Sequence, residues 1–211
     1  YHPGDPLKLP GQIMYDQIWL DLASRTVENR KVRGTVAVHR DFGSVIIISQ
    51  PSKESCLHLL DGNRIDQIVT EPADVRVIAK YSNVGLVDTA GQQAIPPTEF
   101  FGVEPPHNWC YFYQKMDLAR QMQDWQTAAD LAKDAISLNL NPSDVSEWMP
   151  ALEAFTYLKD MNHARQVVNW IRTDNYVRAG ICTNLGVLKD QQVADTNYDH
   201  TPIFELLCAD K

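Results

Sequence analysis

The chain has 211 residues, of which 44% are hydrophobic and 22% charged, and its formal net charge at pH 7 is −8. This composition is that of a globular protein with a sizeable core, so it excludes a largely disordered chain. The acidic balance disfavours nucleic acid as a partner, and no uncharged apolar run approaches the ~18 residues of a membrane span. We therefore expect neither nucleic-acid binding nor a transmembrane segment within this sequence.

The first half of the chain predicts one leading helix followed by a β-rich region. Apolar residues recur at helical spacing from about Ile13 to Val27, and the basic run from Arg30 to Arg33 is expected to form a turn. A further short helical turn is expected at residues 54–60. Strands are predicted from β-branched and alternating patterns at residues 35–38, 44–49, 65–69, 75–79 and 84–87.

A proline-rich connection divides the chain in two. Residues 96–107 contain four prolines, which remove amide donors and stiffen the path of the chain. The sequence therefore predicts an α+β protein in three parts. These are a mixed α/β subdomain at residues 1–95, the connection at 96–107 and an all-α subdomain at 108–211.

The second half is predicted to be helical. Short breaks separate its apolar periodic stretches, which is typical of antiparallel helical hairpins. Pro150 falls in the first turn of a predicted helix, where the amide groups have no partner within the helix and proline is tolerated. The predicted helices span residues 108–122, 125–139, 146–159 and 162–173, with two shorter ones at 176–188 and 202–209.

The helical half matches itself at an offset of 36 residues, the separation of Asp124 from Asp160. Ala128 and Ala164 occupy equivalent places early in the second helix of each unit, where a small side chain lets two helices approach closely. This pattern resembles the tetratricopeptide repeat over about residues 108–173. The resemblance implies paired helices with a concave face that binds a protein segment. The alternative is an ordinary packing of four helices.

A second resemblance covers the whole chain more loosely. The run from Glu104 to Trp125, together with residues 45–48 and 55–61, is similar to the C-terminal soluble part of bacterial polytopic membrane proteins related to multi-span glycosyltransferases. The resemblance implies an extracytoplasmic domain, on the periplasmic or cell-surface side, tethered to the membrane in a longer protein. The catalytic residues of such enzymes lie in the membrane part, so it implies none here. A chain that begins at Tyr1 rather than at methionine fits this expectation.

The cysteines and histidines show no ligand spacing. The four cysteines contain no CxxC pair, and the six histidines are scattered along the chain. We expect buried free thiols, with one disulfide as the alternative if the protein is exported. No nucleotide-binding or hydrolase motif is present, so no metal, cofactor or catalytic residue is expected.

Two functions follow as hypotheses. The first is a non-catalytic interaction or scaffold domain, whose partner is a protein segment or the membrane-embedded part of the same polypeptide. Its contacts are expected from polar residues of the first repeat helix, namely Gln114, Lys115 and Arg120. The second is a small carbohydrate-binding or hydrolytic domain with its site between the two halves. Its candidate residues lie beside the connection: Glu99, Glu104, His107 and Trp109.

Overall fold

The computed structural model describes residues 21–32, 36–87, 97–104, 106–191 and 199–209. In these residues short strands occur only in the N-terminal half, and helices dominate the C-terminal half, so the α+β class is confirmed. Residues 88–96 and 105 lie outside the described residues. The boundaries proposed for the two subdomains and their connection stay a prediction.

Two small antiparallel sheets make up the strand content of the described residues. Strand β1 pairs with β2 in a register that sets Val27 opposite Asp41, and β3 pairs with β4 so that Ile48 faces Leu59. The strands are β1 (Val27–Val32), β2 (Val36–Asp41), β3 (Ile48–Ser49) and β4 (His58–Leu59).

Arg30 and Lys31 of the basic run lie on strand β1, so the turn predicted there was wrong, and Arg33 lies outside the described residues. The leading helix is described only for residues 21–24, and the prediction before residue 21 lies outside the described residues. The chain leaves the helix at Arg25, whose φ is 49°, and β1 begins two residues later. Across the two-stranded ribbon, Glu28 of β1 pairs with Arg40 of β2 at 3.5 Å.

Three strand predictions in this half were also wrong. Residues 75–79 fall in helix α1 (Ala73–Ile78) and the 3₁₀ helix that follows it, and residues 84–87 coincide with a second 3₁₀ helix, Val84–Leu86. Residues 65–69 form turns. Strand propensity measures how well a side chain fits a pleated surface, and tertiary packing overrides it here by burying Ile78 in a small core.

The remaining expectations for this half hold only in part. Of residues 44–49, the ladder includes Ile48 and Ser49 alone. The helical turn expected at 54–60 is replaced by a bend and by β4. Strand β2 confirms the strand expected at 35–38 from residue 36 onward and continues to Asp41.

The helices predicted for the second half are confirmed. Pro150 lies in the first turn of the third of them, after a 3₁₀ helix at Val145–Trp148. The helices after α1 are α2 (Thr98–Phe101), α3 (Trp109–Gln121), α4 (Trp125–Ser137), α5 (Met149–Tyr157), α6 (Met161–Ile171), α7 (Asn175–Gln191) and α8 (Thr201–Cys208).

The two hairpins, α3–α4 and α5–α6, repeat each other down to the backbone of their turns. Gln123 and Lys159, 36 residues apart, both take left-handed conformations, with φ of 58° and 61°. The next residue in each hairpin caps the following helix, since a carboxylate oxygen of Asp124 accepts from the amide of residue 127 and one of Asp160 accepts from the amide of residue 163.

The small residues of the repeat lie where close packing requires them. Ala128 and Ala164 are completely buried in the helical core. The side chains of Met116 and Leu152 are also fully buried at equivalent positions of the first helices. The two hairpins pack on each other mainly through α4 against α5, with α3 also against α5, and the small buried side chains permit this close approach.

Helices α7 and α8 cover one end of this pair. Cys182 on α7 is joined to Cys208 on α8, and Ile203 and Leu207 of α8 are fully buried. Repeats of this kind need such neighbours because each unit cannot bury its own apolar face. No helix in the described ranges is long and apolar enough to cross a membrane.

Residues 55–71, here called the bridging segment, connect the two cores. Cys56 and Val69 belong to the core of the helical half, whereas Leu60 and Ile68 belong to the smaller core with Phe42. Because its side chains alternate between two cores, the segment is buried over most of its length without forming long regular elements.

Candidate functional site

The bridging segment lies along α3, α5 and α7. Cys56 is disulfide-bonded to Cys110 on α3. On α5, Glu153 accepts a hydrogen bond of 3.0 Å from Nη1 of Arg64. On α7, Nδ2 of Asn184 donates to the carbonyl of Ile65 at 2.6 Å. The bridging segment, which belongs to the N-terminal half, therefore contacts the first helix of each hairpin and also α7.

A buried ionic cluster fixes the first part of this segment. His58 on β4 lies between two carboxylates, with Nδ1 2.9 Å from Oε1 of Glu71 and Nε2 3.2 Å from Oε1 of Glu147. The exposed fractions are 3%, 3% and 1% for His58, Glu71 and Glu147. Asp144 lies beside them, and we call these four residues the His58 cluster.

The carboxylates of the His58 cluster are held by further donors. Glu147 accepts from the backbone amide of Cys56 at 2.7 Å and from Nε1 of Trp109. Glu71 accepts from the hydroxyl of Ser49 at 2.6 Å. Asp144 caps the 3₁₀ helix by accepting from the amide of residue 146 at 2.9 Å. Each carboxylate thus has a fixed orientation before any ligand binds.

Carboxyl groups outnumber the one imidazole in the His58 cluster. Burial alone lowers the pKa of His58, but hydrogen bonds and charges from Glu147 and Glu71 outweigh it and raise that pKa to about 9. A protonated His58 still faces three carboxylates. Burial, with the negative charges of Asp117 and Glu147, also raises the pKa of the nearby Tyr113 well above its usual value.

Three residues of the cluster have the chemistry and spacing of metal ligands. His58, Asp144 and Glu147 each offer one ligand atom, and these atoms lie within 4.8 Å of one another. All three residues are buried.

A second ionic cluster fixes the middle of the bridging segment. Arg64 pairs with Asp66 at 2.9 Å and with Glu153, and the three side chains are almost fully buried. Burial opposes ionisation of Asp66, but the charge and hydrogen bonds of Arg64 outweigh it and lower the pKa of that carboxyl. The arrangement joins the segment to α5 by charge as well as by packing.

A surface groove of about 260 Å³ lies between the two halves. Its apolar wall includes Ile48 and Leu57, which are 62% and 51% exposed. The opposite wall is one face of α3, along which Asp117 accepts from Nε of Arg120 at 2.8 Å and from Nε2 of Gln121 at 3.0 Å. The full lining is Ile48, Leu57, Leu59, Tyr113, Gln114, Asp117, Leu118 and Gln121.

The structure separates the three predicted partner-binding residues. Gln114 is exposed and lines the groove. Lys115 is half-buried, with its amine 5.8 Å from the centre of the Tyr111 ring. Arg120 is buried in its ion pair with Asp117. Among the three, Gln114 alone lines the groove, and the binding roles stay predictions.

Of the four residues predicted for a site beside the connection, two lie together and the other two lie apart from them. Glu104 and His107 come together, with a carboxylate oxygen 2.8 Å from Nε2, and the imidazole stacks on Tyr111. Trp109 is buried and donates to Glu147 instead. Glu99 is exposed on α2. These side chains therefore do not enclose one common cleft.

The sequence analysis missed the His58 cluster, although one signal was present. Glu147 and Glu153 are the two charged residues in the stretch 146–156, which is otherwise uncharged and is buried throughout. A carboxylate in such a position needs a buried partner. That partner comes from a residue 89 positions away in both cases, so no local spacing reveals it.

The expectation of free thiols was wrong. All four cysteines are paired, as Cys56–Cys110 and Cys182–Cys208. The paired residues are 54 and 26 positions apart, and their pairing depends on how the bridging segment and α8 pack on the helices.

Comparisons with family models, with curated proteins and with solved structures gave no match for this chain.

Proposed function

We propose that this chain is a non-catalytic scaffold domain whose two tetratricopeptide-like hairpins hold the bridging segment of the same chain. The observation that carries the proposal is the position of that segment across α3, α5 and α7. In the tetratricopeptide family the first helices of the units offer a face to a protein segment. Here such a segment is supplied in cis.

The disulfides support a location outside the cytoplasm. Disulfides persist in oxidising compartments and are rare where thiols are kept reduced, and every cysteine of this chain is paired. This agrees with an extracytoplasmic domain of a larger membrane protein of glycosyltransferase type. Alkylation of thiols before and after reduction tests the point, and a protein with reactive thiols in its native compartment would contradict it.

The groove is the surface that we propose for a further partner, namely the membrane-embedded part of the same polypeptide. Its exposed leucine and isoleucine wall offers apolar contact, and Gln114 offers hydrogen bonds. An exposed apolar surface rimmed by polar side chains is typical of interaction sites.

Site-specific photo-cross-linking tests this partner. A photoreactive residue at position 114 is expected to cross-link to the membrane-embedded part when both are produced in the same cells. The matched control is Gln126, which is exposed on α4 and does not line the groove. Equal adducts from both positions, or none from position 114, would remove the groove from the proposal.

Carbohydrate binding is the second candidate, because the groove lies between the halves and sets amide side chains opposite an apolar wall. A glycan array discriminates the two functions. Carbohydrate binding predicts a signal that falls on Gln114→Ala, whereas a scaffold predicts no signal that depends on this residue.

A further inference from the structure

We propose that His58, Asp144 and Glu147 bind a divalent transition-metal ion, for which Zn²⁺ is the best suited, and that the ion ties β4 to the 3₁₀ helix in front of α5. The ligand set is one imidazole and two carboxylates. The nitrogen ligand favours zinc over magnesium and calcium, which take oxygen ligands.

The spacing of the ligand atoms fits one ion. Zinc lies about 2.0–2.2 Å from nitrogen and oxygen ligands, so two ligands of a tetrahedral site are roughly 3.4 Å apart. Nε2 of His58 and Oε1 of Glu147 are 3.2 Å apart. The ligand atom of Asp144 lies within 4.8 Å of the other two.

The neighbours of the ligands orient them toward a common point. Glu71 accepts from Nδ1 of His58 and so leaves the lone pair of Nε2 for the ion, an arrangement that recurs at histidine ligands of zinc. The hydroxyl of Ser49 holds Glu71 in place. Trp109 and the amide of residue 56 likewise hold Glu147.

The charge of the cluster supplies an independent reason. Glu71, Asp144 and Glu147 are buried, and in the described part of the chain the one side chain within ion-pair distance of them is His58. One imidazole therefore faces three buried carboxyl groups. Buried charges require compensation, and a divalent ion provides it.

The ion is structural, because its ligands are buried and come from both partners of the bridging contact. His58 belongs to the bridging segment, and the two carboxylates belong to the 3₁₀ helix and its cap. The sequence analysis expected no metal because His58 is 89 positions from Glu147, so no local motif contains both the imidazole and the carboxylates.

Metal uptake by the full chain tests the site. The protein is treated with EDTA, dialysed against Zn²⁺ and analysed by mass spectrometry of the bound metal, with Mg²⁺ and Ca²⁺ in parallel. We expect one Zn²⁺ per chain and at least tenfold weaker binding in Asp144→Asn, which keeps the oxygen that caps the 3₁₀ helix. The matched control is Asp124→Asn, the same change at an exposed helix cap, and it is expected to bind as the wild type does.

Two results would overturn the proposal. One is a folded wild-type protein that takes up no Zn²⁺. The other is equal affinity in the Asp144→Asn and Asp124→Asn variants, which would indicate binding at surface histidines. X-ray absorption of the Zn-loaded wild type gives a test without variants. One imidazole with oxygen ligands is expected, and a second imidazole or a sulfur ligand would place the ion elsewhere.

Discussion

The hairpins α3–α4 and α5–α6 and the bridging segment reach their shapes by different means. The hairpins are built from helices with continuous apolar faces, aspartate caps and buried alanines, all set by residues close together in the chain. The bridging segment consists mainly of turns, and a disulfide, two ionic clusters and side chains in two cores hold it. The helices are thus stable locally, whereas the segment depends on the surface that they provide.

Loss of Arg64 is expected to give the largest effect. Arg64→Met leaves Asp66 and Glu153 buried without their cation, and breaking one partner of a buried ion pair costs about 3–5 kcal/mol. Urea unfolding measures the change. The control is Arg165→Met at an exposed position of α6, expected to change stability by less than about 0.5 kcal/mol. Equal effects of the two substitutions would contradict the account.

The disulfides are expected to come next and to act on different regions. Cys56→Ala with Cys110→Ala opens a connection between residues 54 positions apart, worth about 4 kcal/mol in the chain-entropy model, and loosens the bridging segment. Cys182→Ala with Cys208→Ala, worth about 3.5 kcal/mol in that model, loosens α8 instead. Limited proteolysis locates the opened region, and cleavage at the same sites in both variants would argue against separate roles.

Substitution of two glycines on α7 tests how closely this helix packs on the bridging segment. A Cβ at Gly180 would lie 2.3 Å from Cγ1 of Val69, so Gly180→Ala is expected to cost about 1–3 kcal/mol by overpacking. A Cβ at Gly186 meets its nearest atom, on Phe204, at 3.7 Å. Gly186→Ala is therefore expected to stabilise the protein by about 0.5–1 kcal/mol through helix propensity. Thermal unfolding shows whether each substitution lowers or raises the stability of the protein. Stabilisation by both substitutions would mean that α7 is not closely packed on the bridging segment.

The last prediction concerns how the stability of the protein depends on pH through the carboxyl group of Asp66. Its pKa is lowered in the folded protein, so it contributes stability above the unfolded-state pKa of about 3.9. That contribution is lost as the pH falls through the lower folded-state pKa. Stability measured between neutral pH and the acid range should fall less steeply in Asp66→Asn than in the wild type. Parallel curves would show that Asp66 is not held ionised by Arg64.

The same difference between local and distant contacts explains what the sequence could predict. The helices of the repeat follow from apolar spacing within short stretches of the chain, so they were found. Helix α1 was mistaken for a strand because Val75, Val77 and Ile78 favour strands locally, whereas Pro72 starts a helix there. The His58 cluster and the disulfides combine residues far apart in the chain, and only the packed helices bring them together.

The most direct test of the central claim is hydrogen exchange of the wild-type amides, followed by mass spectrometry. We predict that peptides from residues 55–71 are protected nearly as strongly as α5, because the segment is anchored in both cores and on the helices, and that Arg64→Met removes this protection while α3–α6 keep theirs. Exchange of residues 55–71 as fast as that of the exposed residues 52–54 in the wild type would contradict the account.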